Sequence, residues 1–206
     1  MLIPFQTLVH QYGLSDKIKG ILHIGAHECE EQKDYLHVTS NILWIEANPD
    51  LVQAMRMAHP EYTIYQGLVS NTDDLERDFI VTNNGQSSSM LELNEHLKEH
   101  PHVFEIQRKR LRTVRMDTLL TREAVDVTRY NFLNLDIQGA ELMALEGLGA
   151  LVTLFNYIYT EVNEKELYSG CALLPQLDAF LKGHGLTRVQ LKMTIHGWGD
   201  AFYIKT

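Results

Sequence analysis

From Ile21 to Glu46 the chain reads ILHIGAHECEEQKDYLHVTSNILWIE, and this stretch constrains the fold more than any other. Ile21, Leu22 and Ile24 form an apolar run of strand length, suited to a buried strand. Gly25 comes directly after it, where the chain must turn sharply or pass close to a ligand. Glu28, Glu30 and Glu31 then open a helical stretch, since acidic side chains suit the partly positive N-terminus of a helix. A second apolar run, Asn41 to Ile45, ends in Glu46. Strand, glycine turn, helix and strand make the first unit of an open α/β sheet, whose ligands sit beyond the carboxyl ends of the strands. Taken alone, the stretch also fits a plain βα turn with no ligand.

The turn itself narrows the ligand. A dinucleotide site needs G-x-G-x-x-G, because the pyrophosphate must approach the backbone closely. Here the turn is GAHECE, with His27 and Glu30 in place of the second and third glycines. That acidic turn repels a pyrophosphate and disfavours a nicotinamide-dependent oxidoreductase. Glu46, at the tip of the second strand, is placed to accept both hydroxyls of a ribose. A ligand with ribose, no phosphate and a positive charge fits, and S-adenosylmethionine is such a molecule.

The 206 residues suit one domain spanning 1–206 with a proper core. The length also suits one domain cut from a longer protein. A net charge of −9 argues against nucleic acid as a partner. Two cysteines, Cys29 and Cys171, are too few for a disulfide framework and point to a reducing, cytoplasmic setting. The N-terminus has no basic, apolar leader, and no segment is long and apolar enough for a membrane span.

Along the chain, Phe5 to Tyr12 is apolar at helical spacing and Gly13 ends it. Asp50 to His59 reads as a helix stopped by Pro60. Thr63 to Val69 and Leu75 to Thr82 read as strands. Asn83 to Ser89, NNGQSSS, is loop by composition, either an active-site loop or a solvated connection. Leu91 to Pro101 has no clear pattern. Val103 to Met116 is extended and carries Arg108, Lys109, Arg110, Arg112 and Arg115. This basic run is either the solvent face of an edge strand or a lip for an anionic acceptor. Asp117 reads as a helix N-cap. Asn131 to Leu135 and Tyr157 to Val162 are further strands, with helices over Gly139 to Leu148 and Pro175 to Leu181. Thr187 to Met193 and Ala201 to Lys205 are joined closely enough to be an antiparallel pair. The expected fold is therefore α/β: a Rossmann-like class I methyltransferase arrangement, with a mostly parallel seven-stranded sheet, a C-terminal antiparallel hairpin and helices on both faces.

Carboxylates end three of these strands, Glu46, Asp136 and Glu161, and in an open parallel sheet all three share one crevice. ILHIGAHECEE, ILWIEANPDLV, GQSSSM, VRMDTLL, NFLNLDIQGAELMALEG and GDAFYIK, in this order, resemble the FkbM-type S-adenosylmethionine-dependent methyltransferases from about Ile21 onward. The resemblance implies O-methylation of a hydroxyl on a sugar, glycan or other small hydroxylated acceptor. By position it sets Gly25 and His27 beside the cofactor tail, Glu46 at the ribose, Asn48 among the cofactor-binding residues, and Ser88 near cofactor or acceptor. It sets Asp136 beside the transferred methyl. Two departures stand out: Gln138 replaces the second acid of the family's D-x-E-G, and His27 stands where its first loop has asparagine. A sugar hydroxyl is a weak nucleophile, so a base or a metal should assist. Asp136, Glu161 and His196 are the candidate bases, and Mg²⁺ held by Asp136 and Glu161 is the alternative. Tyr168 and Trp198 are candidates for stacking on a sugar ring. A non-catalytic Rossmann-like binding domain is the remaining alternative.

Overall fold

The computed structural model describes residues 1–206. Its main sheet contains β1 (Ile21–Ile24), β2 (Ile42–Glu46), β3 (Thr63–Gln66), β7 (Phe132–Leu135), β8 (Tyr157–Asn163), β9 (Leu186–Met193) and β10 (Trp198–Lys205). Their order in space is β3-β2-β1-β7-β8-β10-β9. The pairings β2–β3, β1–β2, β1–β7 and β7–β8 are parallel, and β10 runs antiparallel to both β8 and β9. Every residue of β1, β2, β7 and β8 is buried, as expected of parallel strands covered on both faces.

Alternation along these strands divides the core in two. Leu22, Ile24, Leu43, Ile45, Leu133 and Leu135 face one side, where α5 (Met116–Arg122), α6 (Glu141–Leu148) and α7 (Leu174–Gly183) pack. Ile21, Ile42, Trp44, Phe132 and Phe202 face the other side, against α1 (Phe5–Tyr12), α2 (Gln32–Tyr35) and α3 (Pro49–Ala58). Gly13 closes α1 in the left-handed conformation, with φ of 59°.

A second sheet holds β4 (Leu68–Val69), β5 (Glu76–Thr82) and β6 (Glu105–Val114), in the order β4-β6-β5. Residues 83–104 join β5 to β6 and carry the short α4 (His96–Glu99). This insert docks on the segment after β8: the N–H groups of Asn94 and His96 donate to the Leu167 carbonyl, and that of Ser169 donates to Glu92.

Three local expectations change, and one of two alternatives is selected. The helix expected from Glu28 begins only at Gln32, because His27 and Cys29 are in the left-handed region and the chain is still turning. The single strand expected over 63–69 is two strands in two sheets. Gly67 makes the last bond to β2, through Glu46 O, and the chain then leaves to pair with β6. Arg115, not Asp117, is the N-cap of α5; Asp117 instead clamps the Arg115 guanidinium at 3.0 and 2.6 Å. The basic run of β6 is an ion-paired outer face. Arg108 meets Glu92, Glu105 and Asp78, Lys109 meets Asp50, Arg110 meets Asp78 and Arg112 meets Glu76.

Candidate active site

The chain's connections reverse direction across the sheet between β1 and β7, which opens a crevice at their carboxyl ends. Gly25 makes the crevice tight. It has φ of +94°, and a Cβ there would lie 1.8 Å from the carbonyl oxygen of Asp136. The two strands can end this close only with glycine at that position.

Above the crevice lies a cavity of about 540 Å³, within the roughly 300–1,000 Å³ common for small-molecule sites. Gly25, His27, Glu46, Asn48, Ser88, Asp136 and Glu161 all line it, and so do Tyr168 and Trp198. His196 does not. Its Nδ1 lies 2.9 Å from Glu99 Oε2, in a tie between the β9–β10 turn and the insert.

At one end, Glu46 accepts the His27 N–H at 2.9 Å and the Asn48 N–H at 2.7 Å. Burial raises its pKa, and those backbone donors oppose the rise. Each carboxylate oxygen keeps a lone pair for a hydroxyl. The Asn48 side chain caps α3 by accepting the Asp50 N–H at 3.2 Å. The His27 Nδ1 lies 2.8 Å from Glu30 Oε1; that hydrogen bond raises the histidine pKa and lowers Glu30 to about 2. Ser88 holds its own loop, donating to the Gly85 carbonyl at 2.6 Å and accepting the Thr82 N–H at 3.1 Å.

The other end is an acid cluster arranged around Gln138. Its Nε2 donates to Asp136 Oδ1 at 2.8 Å and to Glu161 Oε2 at 2.7 Å. The Tyr168 hydroxyl donates to Gln138 Oε1 at 2.5 Å, which fixes the amide with its N–H groups toward the acids. Gln138 has φ of 55°. Buried Glu141 holds this turn by accepting the N–H groups of Ile137 and Gly139, both at 3.1 Å. Asp200, paired opposite Glu161 between β10 and β8, accepts the Tyr159 hydroxyl and the Leu2 N–H. Burial first, then mutual repulsion, raises Asp136, Glu161 and Glu141, the last to about 7. Burial raises Asp200 as well. Asp136 keeps part of its surface open, whereas Glu161 and Asp200 are buried.

This geometry does not fit Mg²⁺. The amide between Asp136 and Glu161 donates to both, so it occupies the space a shared cation needs. No set of three or more His, Cys, Asp or Glu side chains is arranged to hold a metal. No helix is long and apolar enough to cross a membrane.

Sequence reasoning did not reach Asp200, Glu141, or the bridging role of Gln138. It also passed over His96, His100 and His102, which all line the cavity from the insert. Their signal was the spacing H-x₃-H-x-H inside the unpatterned NEHLKEHPHV.

The fold is shared with solved structures of low sequence identity. Precorrin-6y C5,15-methyltransferase from Geobacter metallireducens GS-15 matches with a TM-score of 0.54 at 11% identity, over 98% of this chain and 87% of that one. Magnesium protoporphyrin IX methyltransferase from Synechocystis PCC 6803, with bound S-adenosylmethionine, matches with a TM-score of 0.51 at 8% identity, over 97% of this chain and 74% of that one. The architecture is that of the class I S-adenosylmethionine-dependent methyltransferases. Within that class, residues 23–186 match the methyltransferase FkbM domain, and the chain belongs to the FkbM methyltransferase family. No curated protein sequence matches it significantly.

Proposed function

We propose that this methyltransferase acts on oxygen, methylating a hydroxyl of a sugar, glycan or similar small hydroxylated acceptor. The observation that carries the reading is the Asp136–Gln138–Glu161 bridge, which sits at the switch point of the sheet and opens to the cavity through Asp136. S-adenosylmethionine supplies an electrophilic methyl group when bound.

In this reading Gly25, His27 and Asn48 border the cofactor, and Glu46 accepts its ribose hydroxyls. Ser88, which ties the insert loop to β5, shapes the wall beside it. Asp136 accepts the proton of the acceptor hydroxyl as the oxygen attacks. Its raised pKa makes it a stronger base than an exposed carboxylate. Glu161 shares the Gln138 amide and stays buried, so it holds Asp136 in place instead of meeting the acceptor. With cofactor and acceptor bound, the cavity walls would exclude water and hold the acceptor oxygen in line with the methyl group. Residues 1–206 act as one catalytic domain here, since the wall draws on the chain from Met1 to Asp200.

Calorimetry with S-adenosylhomocysteine and transfer of labelled methyl to a panel of glycosides test the proposal. The expected results are saturable binding, weakened in Glu46→Ala by about 1–3 kcal/mol, and label recovered as a methyl ether. Label found only in amines or protein would sink the oxygen assignment.

A further inference from the structure

The acceptor end of the cavity is walled by the insert, the segment after β8 and the start of β10. Glu99 ties the insert to its neighbours, through an ion pair to Lys165 and a hydrogen bond to His196. From the insert, His96, His100 and His102 enter the wall together. The His96 and His100 rings are 4.9 Å apart between centroids, and His100 and His102 are 6.1 Å apart. The His96 ring is 5.3 Å from that of Tyr168, whose hydroxyl holds Gln138 and, through it, Asp136. His96 is thus linked to the proposed base through the Tyr168 ring and the Gln138 amide. His96 is only 5% exposed, and its Nδ1 is buried with no hydrogen-bond partner. Trp198 adds an aromatic face to the same wall.

The charge of this wall is one-sided. Glu30, Glu31, Glu46, Asp136, Glu161 and Asp200 line the cavity, and no lysine or arginine does. Burial and the neighbouring imidazoles bring His96 down to about 4 and lower His100 as well, so both are neutral at pH 7. A neutral imidazole offers one donor and one acceptor, and a hydroxyl offers the same pair in return. The Met1 ammonium also lines the wall, 4.0 Å from Glu31, and His27 is held by Glu30, so an anionic acceptor would meet carboxylates and find no cation without a carboxylate partner.

Building on the methyltransferase reading, we propose that His96, His100 and His102 form the acceptor subsite, and that it selects an uncharged hydroxylated ring over a charged one. The imidazoles bind ring hydroxyls, Trp198 packs on the apolar face of the ring, and the acidic wall rejects uronates and phosphosugars.

Three pyranosides of different charge test this: neutral methyl mannoside, anionic methyl glucuronide and cationic methyl glucosaminide. Binding is followed by saturation-transfer NMR and competition, with and without S-adenosylhomocysteine. Methyl mannoside should bind and methyl glucuronide should not. His100→Ala, at a half-buried position, and His102→Ala, at an exposed one, should each weaken mannoside binding about tenfold, with melting temperature and S-adenosylhomocysteine affinity unchanged. For buried His96, His96→Ala should lose binding and His96→Gln, which keeps a donor and an acceptor, should recover part of it. Equal or better binding of the glucuronide, preference for the glucosaminide, no mannoside binding, or alanine variants that bind like the wild type would each overturn the subsite. Mannoside binding without S-adenosylhomocysteine binding would instead remove the methyl-transfer reading and leave the subsite standing.

Discussion

A single amide decides how the acids of this site behave. Gln138 donates to Asp136 and Glu161 at once, so the two carboxyl groups lie close with a hydrogen-bond donor between them. Gln138→Glu would put a third carboxyl group between them, and one of the three would then hold a proton at neutral pH. The acid limb of the kcat/KM profile should move to higher pH in this variant, with S-adenosylhomocysteine still bound. Asp136→Asn, which keeps the shape and removes the proposed base, should lower kcat by about 10²- to 10⁴-fold across the whole pH range. Chelator should leave wild-type turnover unchanged. A wild-type pH profile retained in Gln138→Glu, or full turnover in Asp136→Asn, would take these residues out of the mechanism.

Between elements, the crevice depends on how closely β1 and β7 end. Gly25 allows that approach, and any side chain there meets the backbone of Asp136. Gly25→Ala places a residue at positive φ, which costs about 1–3 kcal/mol from the backbone alone, and the contact with Asp136 O adds to it. Urea denaturation should show a lower midpoint, and S-adenosylhomocysteine affinity should fall with it, because the variant parts the strands that frame the site. A variant that loses stability but binds the cofactor product like the wild type would show that the close approach serves packing alone. The insert works differently: it reaches the site through backbone bonds to 166–169 and the Glu99 ion pairs, so it is a wall added to the sheet.

Across the whole molecule, buried acids and buried histidines give opposing pH dependences. Asp136, Glu161, Glu141 and Asp200 have raised pKa values in the folded state. Their contribution to stability is fully present below the unfolded values and is lost as pH rises through the folded ones, near 7 for Glu141. His23 and His96 are lowered to about 4 from 6.5. Their contribution is present above 6.5 and is lost as pH falls toward 4. Between about pH 4.5 and pH 7 the two groups therefore pull stability in opposite directions: the acids, charged in the unfolded chain but protonated in the fold, make it fall with rising pH, and the histidines make it rise. Glu141→Gln keeps an acceptor for the Ile137 and Gly139 N–H groups and removes one falling contribution, so its melting temperature relative to the wild type should rise from pH 5 to pH 7.5. Scanning calorimetry across pH 5 to pH 8.5 checks this, and a difference that does not change with pH would refute it.

The sequence by itself determined the sheet and which side chains stand toward the carboxyl ends of its strands. Short apolar runs closed by Gly25, Glu46 and Asp136, or carrying Glu161 near the tip, hold their burial and their direction in local pattern, and the structure sets all four at one cavity. The start of α2, the break at Gly67 and the cap of α5 were not legible, because left-handed residues and sheet exchange depend on partners far along the chain. The same is true of the wall. Asp200 becomes part of the site only when β10 pairs with β8 opposite Glu161. Gln138 bridges the acids only because Tyr168, 30 residues away, orients its amide. His96, His100 and His102 reach the cavity because the insert docks on residues 166–169, a contact that leaves no periodic trace in the sequence. Local pattern encodes burial, whereas the meeting of polar side chains from distant segments is set by tertiary packing.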